Sequence, residues 1–319
     1  MPDLPTISIV IPLYNKAPHI ADALNSVLNQ TFQDYEVIVI DDGSIDGGAE
    51  IVKKYNDGRI QLIRQDNRGV SAARNRGVEV ARADLVAFLD ADDEWSSNHL
   101  EVIMRLKSKY PEAGAYATAY LKRKGGIFQP ASFPRSEMPK KPWEGLISNY
   151  FRTSSRGDTL ISSSTVAVPK AILAKMNGFT PNAWSGEDGD LWGRIALEFP
   201  IAFSWDGMGI YNLDAMNRAC KRYDPIVERP FVSSALKVLK AGNVPSEMRA
   251  DLLEYISIIQ LRTAYRNLAA GRPDLASNNL RQCHSQRAKL KRNLLLLCTH
   301  LPSDLIMVLC ALKKRINPD

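Results

Sequence analysis

Cysteine is scarce: the 319 residues contain four, Cys220, Cys283, Cys298 and Cys310, all late in the chain. No two form a CxxC pair and none has metal-ligand spacing. A disulfide framework and a structural zinc site are therefore both excluded, and reduced thiols in a cytoplasmic setting are expected. No apolar stretch reaches the roughly 18 uninterrupted residues that a spanning helix needs. The opening Met1-Pro2-Asp3-Leu4-Pro5 carries no basic region and the apolar strand after it is interrupted by Pro12, so no secretory leader is expected. No strand is followed by GxGxxG and GxxxxGK[ST] does not occur, which removes the dinucleotide fingerprint and the P-loop. Strong charge is lacking too: 41 Lys+Arg against 35 Asp+Glu leave +6, too little to imply a nucleic-acid partner. The excess is uneven. Residues 231–319 hold fourteen Lys/Arg and six Asp/Glu, a net of +8, so the first 230 residues are at −2.

What is present is an ordinary globular composition, 45% hydrophobic and 24% charged. Short β-branched runs alternate with helical spacing. Ile7–Pro12 reads as a strand, Ala17–Gln30 as a helix, Glu36–Ile40 as a strand, Asp46–Tyr55 as a helix, Ile60–Arg64 as a strand, Val70–Ala81 as a helix and Leu85–Leu89 as a strand. Such a succession implies an α/β fold, a mainly parallel sheet flanked by helices. Ligands bind such sheets beyond the carboxyl ends of the strands. The unusual residues lie there: Pro12-Leu13-Tyr14-Asn15, Asp41-Asp42-Gly43-Ser44 and Asp90-Ala91-Asp92-Asp93.

Three acids within four residues, placed where a buried strand ends, repel one another and call for a cation. Oxygen-only ligands suit Mg²⁺ or Mn²⁺, with substrate phosphates completing the shell. The alternative is a solvated acidic turn in which Asp92 or Asp93 caps a helix starting near Ser96. An aromatic ring at Tyr14 can stack on a base and a carboxylate at Asp42 can accept from a base or ribose. Taken together, the three loops describe a pocket for a nucleotide diphosphate.

The runs "ISIVIPLYNKAPHIADALNSVLNQTFQDYEVIVIDDGSIDG", "NRGVSAARNRGVEVARADLVAFLDADDEW" and "GEDGDLWGRIAL" resemble the inverting glycosyltransferases of family 2, which have the GT-A fold. The resemblance implies nucleotide contacts at Pro12, Tyr14 and Asp42, and a DxD motif at Asp90-Ala91-Asp92. The first acid of that motif would face the ribose and Asp92 would hold the divalent cation, Mn or Mg. Arg74 is implied as a diphosphate or ribose contact, the alternative being an exposed helix charge. Asp188 is implied as the general base, with a helix N-cap as its other role. The donor would be a nucleotide-diphosphate sugar, with a UDP-sugar favoured. The acceptor would be a saccharide or lipid-linked saccharide hydroxyl, in the synthesis of a cell-surface polysaccharide or glycolipid. Two rivals remain at this level: a nucleotidyltransferase and a non-catalytic nucleotide-sugar-binding protein.

The sequence thus divides into a GT-A-like domain at 1–230 and a basic helical extension at 231–319. The first comprises a nucleotide-sugar half at 1–110 and an acceptor half at 111–230. Within the acceptor half, Ala113–Leu121 and Ile161–Val168 read as strands and the Pro-rich, basic stretch 130–142 as a mobile loop. Helices are expected at Phe231–Lys240, Ser246–Ala270 and Pro273–Leu290. The last segment sets Lys289, Lys291 and Arg292 before one short apolar run and Lys313, Lys314 and Arg315 after a second. Peripheral contact with an anionic membrane and a packed terminal helix both fit that pattern.

Overall fold

The computed structural model describes residues 4–134, 136–218, 222, 224–285, 287–302 and 305. The chain divides into two compact units, Met1–Arg218 and Ala219–Asp319.

In the first unit the β-branched run forms β1 (Ile7–Leu13), buried at every position but Pro12. Ile7, Ile9, Ile11 and Leu13 enter a core with Ile20, Ala23, Leu24 and Val27 of α1 (Ala17–Leu28). Val10 lies beneath the helix α3 (Val70–Val80), whose Gly77 allows the contact, since a Cβ there would lie 2.3 Å from Val10 Cγ1. After α1 come β2 (Tyr35–Asp41), α2 (Gly48–Lys53), β3 (Ile60–Arg64), α3 (Val70–Val80), β4 (Leu85–Phe88), β5 (Glu94–Trp95) and α4 (His99–Lys109). The rest of the unit follows with β6 (Ala115–Lys124), β7 (Ile127–Pro130), β8 (Glu144–Leu146), α5 (Tyr150–Ser154), β9 (Val166–Pro169), α6 (Lys170–Lys175), α7 (Glu187–Glu198) and β10 (Ile201–Asn212).

The strands form one sheet in the order β3-β2-β1-β4-β9-β6-β10-β5, with β7 on β6 and β8 on β10. β3, β2, β1 and β4 are parallel, and β6 and β10 are parallel to each other. Between these two groups β9 runs antiparallel to both β4 and β6, and β5, β7 and β8 are antiparallel to the strands they pair with. The sheet is thus mainly parallel and the fold is GT-A, as the sequence implied. The parallel half brings the carboxyl ends of β1, β2 and β4 to one edge.

Local differences have local causes. The expected strand Ile161–Val168 starts only at Val166, because a 3₁₀ turn at Ser163–Thr165 precedes it and Ser162 accepts a bond from the Ser164 N–H. Helix α2 is shorter than the Asp46–Tyr55 reading, since Asp46 turns its carboxylate to the backbone N–H groups of Gly48 and Ala17 instead of entering the helix. The stretch 130–142, read as mobile, is tied down. Phe133 is buried with its ring 5.8 Å from Phe203 and 5.4 Å from Trp205. The Trp205 Nε1–H donates to the Pro139 carbonyl at 2.9 Å, and the Ser132 N–H donates to Asp158.

The second unit is helical: α8 (Pro230–Lys240), α9 (Ser246–Ala269), α10 (Pro273–Gln282) and α11 (Lys289–Cys298). Asn267, fully buried in α9, bonds both the N–H and the carbonyl of Ile226, and also Asn279 of α10. The helix expected to run from Pro273 to Leu290 is broken at Cys283. The Cys283 thiol donates to the Ser257 carbonyl, while Ser285 donates to Glu254 and accepts from the Ala288 N–H. Such side-chain bonds compete with continued helix. Cys283 and Cys298 are free thiols, while Cys220, Cys310 and the bases Lys313, Lys314 and Arg315 lie outside the described residues. Among the described residues no helix is long and apolar enough to cross a membrane.

Candidate active site at the carboxyl edge of the sheet

At the end of β1 the chain turns through Asn15, whose φ of 51° is in the left-handed region that Asn tolerates. Asn15 is held to the loop after β2: its N–H donates to Ser44 Oγ and its Oδ1 accepts from the Ile45 N–H. Beside that clasp Tyr14 is 42% exposed, and Lys16 reaches the loop after β4. Pro12, half-buried, sits opposite Ile40 in the pairing of β1 with β2.

At the end of β2 the two aspartates do different work. Asp41 is fully buried; its Oδ1 accepts from the Ser44 N–H and its Oδ2 lies 3.5 Å from Arg64 Nε. Asp42, also buried, accepts from Gln65 Nε2 at 2.7 Å and from the N–H groups of Arg68 and Gly69 at 2.9 Å each. It thereby fixes the turn into α3. A carboxylate has about four acceptor sites, so one is left for a ligand.

The acids after β4 separate in the same way. Asp93 is buried, with Oδ2 accepting from Ser164 Oγ at 2.6 Å and Oδ1 from the Asn212 N–H at 2.9 Å. Burial first, then the nearby Asp92 and Asp90, push its carboxyl well above the ordinary aspartate value. The helix-cap reading of Asp92 and Asp93 fails, because α4 begins at His99 behind Asn98, with no side-chain cap. Asp90, its side chain 30% exposed, gives Oδ1 to Arg74 Nη2 at 2.7 Å. Asp92 gives Oδ2 to the ammonium of Lys16 at 2.6 Å.

Arg74 joins the loop after β4 to the first turn of α7. Its side chain is only 3% exposed, which removes the reading as an exposed helix charge. Nη1 donates to Glu187 Oε1 at 2.9 Å, and the guanidinium lies 5.2 Å from the centre of the Phe179 ring. Burial opposes its charge, but Asp90 and Glu187 more than offset that, so its pKa is raised.

Helix α7 starts from Gly186 with φ 84°, a conformation that an L side chain rarely adopts, and this swings three acids into its first turn. Acids there also suit the helix dipole. The N-cap is Gly186, so Asp188, the second helical residue, does not cap the helix. Asp190 is fully buried and accepts from Thr180 Oγ1 at 2.6 Å and from Arg194 Nη2 at 2.8 Å. Glu187 is on Arg74, and burial followed by the neighbouring Asp188 holds its carboxyl above the ordinary value against the pull of that arginine. Asp188 is half-buried, and its one bond among the described residues is from the adjacent Gly189 N–H. Of the three acids it is the one that is neither buried nor ion-paired to an arginine among the described residues.

Among the described residues no group of three or more His, Cys, Asp and Glu is gathered to hold a metal. That still fits Mg²⁺ or Mn²⁺, which need only one or two carboxylates plus diphosphate oxygens. Asp92 and Asp90 are the hard oxygen donors at hand. Sequence reasoning missed Lys16, Glu187 and the structural role of Asp93. Only Arg74 left a usable signal: Ala73, Arg74 and Gly77 recur at helical spacing on the buried face of α3.

Residues 8–157, a little under half of the chain, match the family model "Glycosyl transferase family 2". An uncharacterized glycosyltransferase of Rickettsia bellii is 33% identical over 195 residues, which are 60% of this chain and 26% of that protein. The chain therefore spans only about a quarter of that relative's length. Among solved structures, S. aureus TarS 1-349 in complex with UDP-GlcNAc matches with TM-score 0.66 and 18% identity, over 96% of this chain and 89% of the other. The mannosyltransferase PcManGT from Pyrobaculum calidifontis, in complex with GDP-Man and Mn²⁺, matches with TM-score 0.61 and 19% identity, over 100% of this chain and 89% of the other.

Proposed function

We propose that the protein is an inverting, metal-dependent glycosyltransferase that moves a sugar from a nucleotide-diphosphate sugar to an acceptor hydroxyl. The observation that carries the reading is the Arg74 bridge, which brings Asp90 at the donor edge and the acid turn of α7 to one guanidinium. Tyr14 would offer its exposed ring to the base, with Pro12 beside it, and Asp42 its remaining acceptor site to base or ribose. Asp90 would meet the ribose, and Arg74 would orient Asp90 rather than reach the diphosphate itself. Asp92 would hold Mn²⁺ or Mg²⁺, and that ion, when bound, supplies positive charge to the leaving diphosphate. Asp188 takes the acceptor proton as the hydroxyl attacks the anomeric carbon from the face opposite the diphosphate. The nucleotide-sugar ligands of the two structural neighbours support this donor class, and the Mn²⁺ in one of them supports the metal.

Thermal-shift titration with a panel of nucleotide sugars tests the donor site. At least one UDP- or GDP-sugar should stabilise the protein in Mn²⁺ and lose most of that effect in EDTA. Equal stabilisation with Mn²⁺ and with EDTA would refute a metal-diphosphate site.

The membrane contact belongs to the second unit. Leu290, Leu294 and Leu297 of α11 stand 75%, 55% and 67% exposed at helical spacing, next to Lys289, Lys291 and Arg292. Leu295, Leu296 and Cys298 of the same helix face the unit's own core. An apolar stripe flanked by bases suits an anionic lipid surface, where each base contributes about 1 kcal/mol. Exchanging the three exposed leucines for serine should abolish co-sedimentation with phosphatidylglycerol vesicles at low salt and leave nucleotide-sugar binding unchanged. Vesicle binding that survives the triple exchange would remove α11 from this role.

A further inference from the structure

The Lys16 ammonium lies among three acceptors: Asp92 Oδ2 at 2.6 Å, the Met216 carbonyl at 2.8 Å and the Asn217 carbonyl at 3.4 Å. Both partners of the ion pair are largely covered, with side-chain exposures of 13% for Lys16 and 16% for Asp92. The backbone it grips follows β10 and turns at Asn217, whose φ is 54°. Its other end is anchored independently, by the Asn212 N–H on buried Asp93. Lys16 is thus a removable link between the carboxylate that the proposed function gives to the metal and a backbone segment 200 residues away.

An ammonium 2.6 Å from one oxygen of Asp92 and a divalent cation at about 2.1 Å from the same carboxylate compete for it, because two positive charges would lie within a few ångströms of each other and repel. Lysine is suited to yield, its charge being compact and carried on a flexible four-carbon stem. We propose that Lys16 is a built-in counter-ion of Asp92 that a divalent cation must displace, so that metal entry releases the Met216–Asn217 backbone. This rests on Asp92 being the metal ligand. Lys16 is then a positioning residue: it keeps Asp92 compensated when no metal is bound and ties metal loading to the segment after β10.

The test uses Mn²⁺ alone with the full chain, without nucleotide. Free Mn²⁺ is counted by electron paramagnetic resonance, and amide exchange of residues 213–217 is read by mass spectrometry. Lys16→Met and Lys16→Gln should each bind Mn²⁺ about tenfold tighter than the native protein, since the competing cation is gone and the competent carboxylate is fully populated. Glutamine keeps an amide donor for the Met216 carbonyl, so the paired variants separate charge from hydrogen bonding. Lys16→Arg should bind Mn²⁺ no tighter than native. Mn²⁺ should speed exchange at 213–217 in the native protein, whereas Lys16→Met should exchange fast there with or without the ion. Asp92→Asn should lose Mn²⁺ affinity. Loss in Asp92→Asn with no gain in either charge-removing variant would overturn the inference alone. Unchanged affinity in Asp92→Asn would overturn the metal assignment and this inference with it.

Discussion

Arg74→Met is expected to lower the melting temperature by roughly 10 °C. The guanidinium is buried and bonds Asp90 at 2.7 Å and Glu187 at 2.9 Å, with Asp188 adding to the negative field around it. Methionine fills much of the same volume but leaves those acids without their counter-charge. Removing one partner of a buried ion pair costs about 3–5 kcal/mol. For a folded unit of this size each kcal/mol moves the midpoint by roughly 2–4 °C. Arg74→Lys should fall between, because an ammonium keeps the charge but cannot span two carboxylates as a planar fork does. Adding Glu187→Gln to Arg74→Met should recover part of the loss, since the more deeply buried of the two uncompensated carboxylates is then neutral. Circular-dichroism melts of the four proteins decide it. A midpoint for Arg74→Met within about 2 °C of native would show that the bridge contributes little, against the usual cost of an unpaired buried charge.

The sequence carried the carboxyl edge of the sheet well. Ile7–Leu13, Tyr35–Asp41 and Leu85–Phe88 are apolar runs that end on polar loops, so both the strands and the polar loops that follow them can be read without coordinates. The acids at 90–93 stood out for the same reason. What each acid does was not legible, because its partner is remote in sequence. Asp93 is fixed by Asn212, 119 residues away, and Asp92 by Lys16, 76 residues away. Nothing local distinguishes Arg74 from Arg76 except helical phase, yet the first is buried and the second half-exposed. The reversed direction of β9 left no trace either, since a short apolar run has the same composition whichever way it points. Asp188 was placed correctly in the first turn of a helix, but the capping role offered beside that of general base does not occur, because the left-handed Gly186 that takes the cap is silent in composition.

Asp188→Asn should leave the fold intact, because the side chain does not cap α7 and its bond among the described residues, from the Gly189 N–H, can be kept by an amide oxygen. The amide cannot take a proton. If Asp188 is the base, turnover falls by roughly 10²–10⁴ while donor affinity barely moves. Asp190 cannot substitute, being buried on Thr180 and Arg194, and Glu187 is engaged by Arg74. The direct measurement is proton NMR of slow turnover in Mn²⁺, with water as acceptor and an α-linked nucleotide sugar that the protein binds. Native protein should release a nucleoside diphosphate and a sugar that appears first as the β anomer, and Asp188→Asn should do so at least about a hundredfold more slowly. Near-native turnover by Asp188→Asn, a sugar released first as the α anomer, or cleavage to a nucleoside monophosphate would contradict inverting transfer from Asp188.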